Sequence, residues 1–406
     1  MQDFDWKKER EKYRAKLDEP TPVKPAVPVY PAASDPQKSA AMQIIEAEEN
    51  RRQKRRIAVV ITVIVLIIAI GAGGVWYFTQ KKSSGSASST AGENVADNKA
   101  LPEQSGNFAA IAEKYKHAVG AVAVRYELAN GSNFVNPIGT AWAFAEDKFA
   151  TNAHVANGIK NSRIQMIKQA AKLLLNEELK KSGCKDVQAY EKKFGKSKCD
   201  QLVTTCIKQA DSAIVKVEAM ILINGERHKS LPISAVAIHR DYGSSNKSYK
   251  PDFAVLTING KHDCYFKLAP KEVLYELKAG DPVAFLGFPM EGVGHNDKNN
   301  INVESPVATM QIGNITSVSG FNNEDAGKKG NQHIQHNLPL TGGASGSPIF
   351  NARGEVVAIL WGMSVIQQGN GDRAPNPAGI NFGTRVDLIS GVGEPVAIQS
   401  FILKLK

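Results

Sequence analysis

The chain has 406 residues, 42% of them apolar, which is enough for a substantial core and too much for a disordered polymer or a small disulfide-stapled scaffold. Its formal net charge of +10 is spread over helical stretches and the flank of one apolar segment, with no nucleic-acid-binding motif. Solvated faces and a membrane-topology signal account for that charge, and a nucleic-acid partner is excluded.

Residues 1–34 mix charges with a proline-rich run from Pro20 to Pro31 and lack the apolar content to form a core, so they read as an extended, polyproline-like tail. Asp35 can cap a helix and Pro36 suits its first turn. Ala40 to Glu49 are good helix formers, and Glu48 and Arg52 stand in i,i+4 register. Ile57 to Phe78 then contains no charged residue. At ~1.5 Å per residue this stretch spans ~33 Å, against a hydrocarbon core of ~30 Å, which predicts a single transmembrane helix over 57–78. Arg51, Arg52, Lys54, Arg55 and Arg56 crowd its N-terminal flank against Lys81 and Lys82 on the other, and Trp76-Tyr77-Phe78 sits where an aromatic belt belongs. The positive-inside rule therefore makes residues 1–56 cytoplasmic and everything after 78 extracytoplasmic. A cleaved signal peptide fits less well, because both the preceding region and the apolar run exceed that pattern. Residues 79–106, rich in Ser, Gly, Ala and Asn, read as a flexible tether with a reach of ~25–30 Å.

The globular part is expected over 107–406. Phe108, Ile111, Ala112, Tyr115 and Val119 fall at helical spacing, and Ala121 to Tyr126 alternate as a strand. Gly139 to Ala145 and the stretch from Phe149 to Val155 read as two strands joined by a polar turn at Glu146-Asp147-Lys148, with His154 just past the second. Ile164, Ile167, Ala171 and Leu174 mark one face of a lysine-studded amphipathic helix, and two shorter helical stretches flank Gly195. Together they predict a helical insertion at about 159–211, either a lid or partner surface or a decorated loop. Strands resume at Ile214 to Ile223 and, past a turn at Asn224-Gly225, at Ile233 to Ile238. Asp252 heads an apolar strand ending at Ile258. Val283 to Phe288, Val307 to Ser319 and Val356 to Met363 supply more, and Pro395 opens a closing helix with Ile398, Phe401, Ile402 and Leu405 on its apolar face.

The chemistry is concentrated in three short stretches. Thr341 to Phe350 holds Ser345 among small residues, followed by Pro348 and an apolar strand, as an exposed nucleophile on a tight turn requires. Thr151-Asn152-Ala153-His154-Val155 offers a base, and Asp252-Phe253-Ala254-Val255-Leu256 a carboxylate. Serine acyl transfer needs all three: a nucleophile, a base for its proton, and a carboxylate that fixes the base's tautomer. Asp241, a second carboxylate nearby, lacks the apolar strand that would bury it behind His154. The order His, Asp, Ser and the residue Ser347 both argue against a lipase-type nucleophile elbow.

At these residues the chain resembles the chymotrypsin-like (trypsin-like) serine peptidases, most of all the protease domain of the bacterial HtrA/Deg type. Thr-Asn-Ala-His-Val is similar to the family's histidine motif, Asp-Phe-Ala-Val-Leu to its aspartate strand and Gly-Ala-Ser-Gly-Ser-Pro to its serine turn. The resemblance implies a mainly β fold of two antiparallel six-stranded β-barrels with the site at their junction. It implies His154 as general base, Asp252 as its orienting carboxylate, Ser345 as nucleophile, and the N–H groups of Gly343 and Ser345 as an oxyanion hole. Leu340, Thr341, Trp361, Gly362 and Met363 would line the substrate pocket. Ala344 stands where trypsin-type enzymes carry an aspartate used in zymogen activation, so that route is not expected here. No PDZ domain follows, and no cofactor or metal is expected; His333 and His336 lack the further ligands a metal would need.

The resemblance and the sequence pattern together imply a membrane-anchored serine endopeptidase acting on proteins or peptides outside the cytoplasm, held in a bacterial inner membrane by one helix. The alternative is a catalytically silent protease fold used as a binding or signalling module. Residues 331–350 contain no Asp or Glu, which predicts small or medium apolar residues before the scissile bond. Some family members bind acidic residues through a histidine, and His336 is the candidate for that. Cys184, Cys199, Cys206 and Cys264 all lie past the apolar span, where disulfides form. Cys199 and Cys206 are too far apart on one helix to pair, so a Cys184–Cys206 bridge is expected, with Cys199 meeting Cys264 or unbridged.

Overall fold

The computed structural model describes residues 107–244, 251–289, 301–367, 373–375 and 379–403. The expected tail, apolar span and tether lie outside the described residues, as does Leu405. No described helix is long and apolar enough to cross a membrane.

Strand alternation organises the molecule. In β1 (Val119–Leu128), Val122, Val124, Tyr126 and Leu128 enter one apolar cluster while Ala121 and Ala123 enter a second, because successive side chains on a strand point to opposite faces. The small alanines let the two halves of the domain approach closely at this strand, and the larger residues fill the first core. β2 (Asn133–Ala145) and β3 (Lys148–Thr151) follow, then β4 (Ile214–Ile223), β5 (Ser230–Ile238) and β6 (Ala254–Ile258). The second half is β7 (Pro282–Gly287), β8 (Thr309–Ser319), β9 (His333–His336), β10 (Pro348–Asn351), β11 (Glu355–Met363) and β12 (Asn381–Arg385).

Every ladder within these two sets is antiparallel, and each set closes on itself: β5 pairs with β6 in the first, β10 with β11 in the second. The result is two closed six-stranded barrels. Round the first the order is β1-β2-β3-β6-β5-β4, and round the second β7-β8-β9-β12-β11-β10, the same path traced twice. Closure removes the exposed edges that open sheets leave. Helix α1 (Phe108–Tyr115) packs against the second cluster, with Tyr115 stacked on Phe266 at 4.5 Å.

Between β3 and β4 the chain is helical, and the first helix starts earlier than the alternation suggested. α2 runs from Ala153 to Lys181, so β3 stops at Thr151 and His154 lies in a first helical turn. α3 (Val187–Phe194) and α4 (Lys196–Ser212) meet at Gly195, whose φ of 88° ends one helix and separates it from the next. Ile167, Ala171 and Leu174 are buried in the apolar cluster that α2 shares with α4 and the first barrel, together with Ile159, Ala170, Leu175 and Leu179, whereas Ile164, expected on the same face, is half-buried outside it. At the open end Arg163 donates to the Asp211 carboxylate at 2.7 Å and to the Ile214 carbonyl at 3.0 Å, tying α2 to the chain that re-enters the barrel.

Two expectations need correction. Among the described residues no disulfide forms. Cys184 and Cys206 instead fill the same apolar cluster as small hydrophobic side chains. Burial, with Glu178 adding to it, pushes the Cys206 thiol up to about 11. Cys264 turns its sulfur to the Lys114 carbonyl and packs with the second cluster, whereas Cys199 belongs to α4 of the insertion, so those two do not pair either. The closing helix also starts later than its pattern suggested: Val396–Ala397 pair with β5 as a strand, and among the described residues that follow, Ile398–Phe401 are helical.

Candidate active site

Asp252 is the residue from which the site is built. It precedes β6, is 8% exposed, and lies where the first turn of α2 presents amides that have no partner inside the helix. One carboxylate oxygen accepts the backbone N–H of His154 at 2.8 Å, and the other meets His154 Nδ1 at 2.5 Å. The same carboxylate thus caps α2 and orients the imidazole, at a helix end whose dipole favours negative charge. Asn152, the residue before the helix, does not cap it. Its side-chain amide donates instead to the Asp252 carbonyl at 2.9 Å, holding the aspartate from behind. Asp252 is nearly buried whereas the His154 side chain is 43% exposed, so the imidazole is reachable from solvent while its carboxylate partner is not. The backbone N–H of Asp241, the other carboxylate considered, donates to His239 Nδ1 at 3.1 Å.

Ser345 comes from the second barrel, on the turn before β10. Gly343 and Gly346 have φ of 92° and 90°, values that only glycine takes without strain, and they bracket the serine so that it stands out from the chain. The Thr140 N–H of β2 donates to the Ser345 carbonyl at 2.9 Å. Thr140 in turn accepts from Thr151, three residues before His154, so the serine turn and the histidine segment pack on one residue. Among the described residues the Ser345 hydroxyl makes no hydrogen bond to His154, as is common in the absence of substrate. The N–H groups of Gly343 and Ser345 donate to no other atom among the described residues, leaving them available to an oxygen anion.

The expected pocket residues fall on two segments that meet at this turn. Gly346 N–H donates to Leu360 and Leu360 N–H donates to Ser347, so Trp361, Gly362 and Met363 at the end of β11 leave directly from the nucleophile. Leu340 and Thr341 lead into the turn from the other side, and Leu340 packs on the second cluster. Trp361 stacks on Phe382 at 5.5 Å, and Phe382 on His333 at 5.1 Å. His336 is fully buried, and burial pushes its imidazole down to about 4, with His333 lowered for the same reason. Both rings are therefore neutral near pH 7. Sequence reasoning gave no sign of the parts played by Thr140 or Asn152, because single polar residues beside a motif carry no pattern of their own.

The model of the trypsin-like peptidase domain family matches residues 139–359 of this chain, more than half of it, and the match contains all three candidate residues. Among curated proteins, the glutamyl endopeptidase of Staphylococcus aureus strain MRSA252 is 41% identical over 70 residues, which is 17% of this chain and 16% of that protein. The glutamyl endopeptidase of strain MW2 is 41% identical over 61 residues, 14% of this chain and 15% of that one. The chain thus spans about a sixth of the length of the curated relatives it matches. Among solved structures, the HtrA-type protease AlgW with decapeptide aligns with a TM-score of 0.41 and 14% identity, covering 73% of this chain and 67% of that one. Deg5 aligns with a TM-score of 0.36 and 13% identity, covering 71% and 93%.

Proposed function

Because the chain belongs to the trypsin-like peptidase domain family, we propose that it is a serine endopeptidase, with Ser345 as nucleophile, His154 as general base and Asp252 as the carboxylate that orients it. The observation that carries this reading is the pair of hydrogen bonds from His154 to Asp252, one from the backbone and one from the ring. With Nδ1–H directed at the carboxylate, Nε2 carries the lone pair. It can take the Ser345 proton as Oγ attacks a substrate carbonyl, and the imidazolium that results lies against a carboxylate. The proton then passes to the leaving amine, and water repeats the cycle on the acyl-enzyme. The unengaged amides of Gly343 and Ser345 stabilise the oxygen anion formed at each stage.

The test is labelling by a fluorophosphonate probe. Wild-type protein labels on Ser345 and Ser345→Ala does not. Ser345→Ala and His154→Ala each reduce peptide hydrolysis by roughly 10⁴–10⁶-fold, and the double variant is hardly worse than either, since the residues act as one unit. A wild-type chain that neither labels nor cleaves favours the silent binding module instead.

The pocket formed by Leu340, Thr341, Trp361, Gly362 and Met363 takes small or medium apolar side chains before the scissile bond. The segment from 331 to 350 supplies no carboxylate to accompany a lysine or arginine out of water. His336, neutral and fully buried, brings no positive charge to an acidic one. In a peptide library, cleavage is expected mainly after apolar residues; cleavage mainly after Arg, Lys or Glu refutes this specificity. The domain acts outside the cytoplasm on protein substrates, tethered to a bacterial inner membrane by residues 57–78, a reading that rests on the uncharged span and its basic flank.

A further inference from the structure

The turn that carries Ser345 must hold two amides in one direction, and its own side chains do little of this. Ala344 is apolar and buried, and Gly343 and Gly346 have no side chains. What holds the turn is a set of bonds to its carbonyls. The Gly343 carbonyl accepts from Thr140 Oγ1 at 2.9 Å. The Ala344 carbonyl accepts from Ser347 Oγ at 2.6 Å and from Ser347 N–H at 3.0 Å. The Ser345 carbonyl accepts from Thr140 N–H at 2.9 Å. Three successive carbonyls are therefore fixed by two residues, one from each barrel.

In a trans peptide the C=O and N–H point in opposite directions, and no cis peptide bond is present among the described residues. The Ala344 carbonyl and the Ser345 N–H belong to one peptide, so anchoring the carbonyl on Ser347 aims the N–H the other way. The peptide joining Gly343 to Ala344 is held on both sides, by Thr140 at its carbonyl and by the Ala344 N–H bond to Thr341 at 3.3 Å. The Gly343 N–H belongs to the neighbouring peptide plane, joined to this fixed one through a single Cα, where Gly343 takes a φ of 92°.

Both hydroxyls are themselves fixed. Thr140 and Ser347 are 0% exposed. Thr140 Oγ1 accepts the Phe288 N–H at 3.1 Å while it donates to Gly343. Ser347 Oγ occupies the space left by the missing side chain of Gly287, where a Cβ would sit 1.9 Å from it. The end of β7 thus supplies a donor for one hydroxyl and a slot for the other.

We propose that Thr140 and Ser347 are positioning residues that aim the oxyanion-binding amides of Gly343 and Ser345. This deepens the peptidase reading and rests on it. The turn is then set by folding alone, with no cleavage step needed to order it.

The experiment compares Ser347→Ala, Thr140→Val and Thr140→Ser with wild type, using a fluorogenic peptide with leucine before the scissile bond and a peptidyl boronic acid of the same sequence. Rates are divided by the fraction of Ser345 that labels with a fluorophosphonate. For Ser347→Ala and Thr140→Val, kcat falls about 10- to 100-fold with KM within threefold, and the boronate inhibition constant rises by a similar factor, as for a weakened oxyanion hole. Thr140→Ser keeps the hydroxyl and recovers at least half of the wild-type kcat. Normalised kcat within twofold of wild type in both hydroxyl-deleted variants, or a loss confined to KM, overturns the proposal. So does a Thr140→Ser variant as slow as Thr140→Val, because the hydroxyl would then not be the operative group. A wild-type chain that fails to label and to cleave strikes the peptidase reading itself, a result distinguishable from all of these.

Discussion

His336 shows how one side chain can make the second barrel sensitive to acid. An unfolded histidine titrates near ~6.5, whereas burial holds this one down to about 4. Between those values the unfolded chain binds a proton that the folded chain refuses, so stability rises with pH across the window. The contribution is complete above about pH 6.5 and is lost as pH falls toward 4, amounting to about 3 kcal/mol for this group alone. His333 is lowered for the same reason and steepens the trend. Urea midpoints measured at pH 7.5 and pH 5 should therefore drop markedly for the wild type, and His336→Leu should flatten the difference. An unchanged pH dependence in that variant would show that the ring is not the sensor. None of this was legible in the sequence, where the two histidines three apart suggested a metal pair lacking further ligands and His336 a partner for an acidic substrate residue. Their burial is a property of the finished β9, β8 and β12 ladder, which no local pattern encodes. The residues of the proposed triad stood out in the sequence for the opposite reason: each sits in a short run that resembles a family motif.

At the scale of elements, the insertion was readable where periodicity acts locally. Gly195 was identified as the break between two helices, and the apolar face of α2 was found from its spacing. The start of α2 was not. Thr151 to Val155 alternates like the end of a strand, and the cap that turns it into a helix is Asp252, 98 residues away from His154. A tertiary cap overrides a local preference here, and sequence spacing contains no trace of it. The other end of the insertion depends on Arg163, whose guanidinium bonds the Asp211 carboxylate and the carbonyls of Asp211 and Ile214. Its side chain is 18% exposed and that of Asp211 38%, so the charge pair itself is partly screened, but the carbonyls lose their donor if it is removed. Arg163→Ala should cost about 1–3 kcal/mol and expose α4 to limited proteolysis before either barrel is cut. Equal protease resistance in wild type and variant would mean that apolar packing alone holds the hairpin.

On the scale of the whole molecule, the proposed site is divided between barrels that repeat one strand order: His154 and Asp252 come with the first, Ser345 with the second. Two closed barrels were expected from the family resemblance rather than from composition, which gives only many short strands and Gly-rich turns. The proposed membrane tether belongs to this scale too. A tag at residue 1 should be protected from protease added to intact cells or spheroplasts, while a tag at Lys406 should be digested; the reverse pattern overturns the proposed orientation.

The bond from the His154 backbone to Asp252 has a further use. Amide protons exchange with deuterated water only when their hydrogen bonds open, and this proton is held by the same carboxylate that meets the His154 ring. Its exchange rate would be a clock for the integrity of the base–carboxylate pair, readable by mass spectrometry or NMR on resting protein. The state of this half of the proposed site could then be followed across temperature, acidity or added ligands without any substrate present.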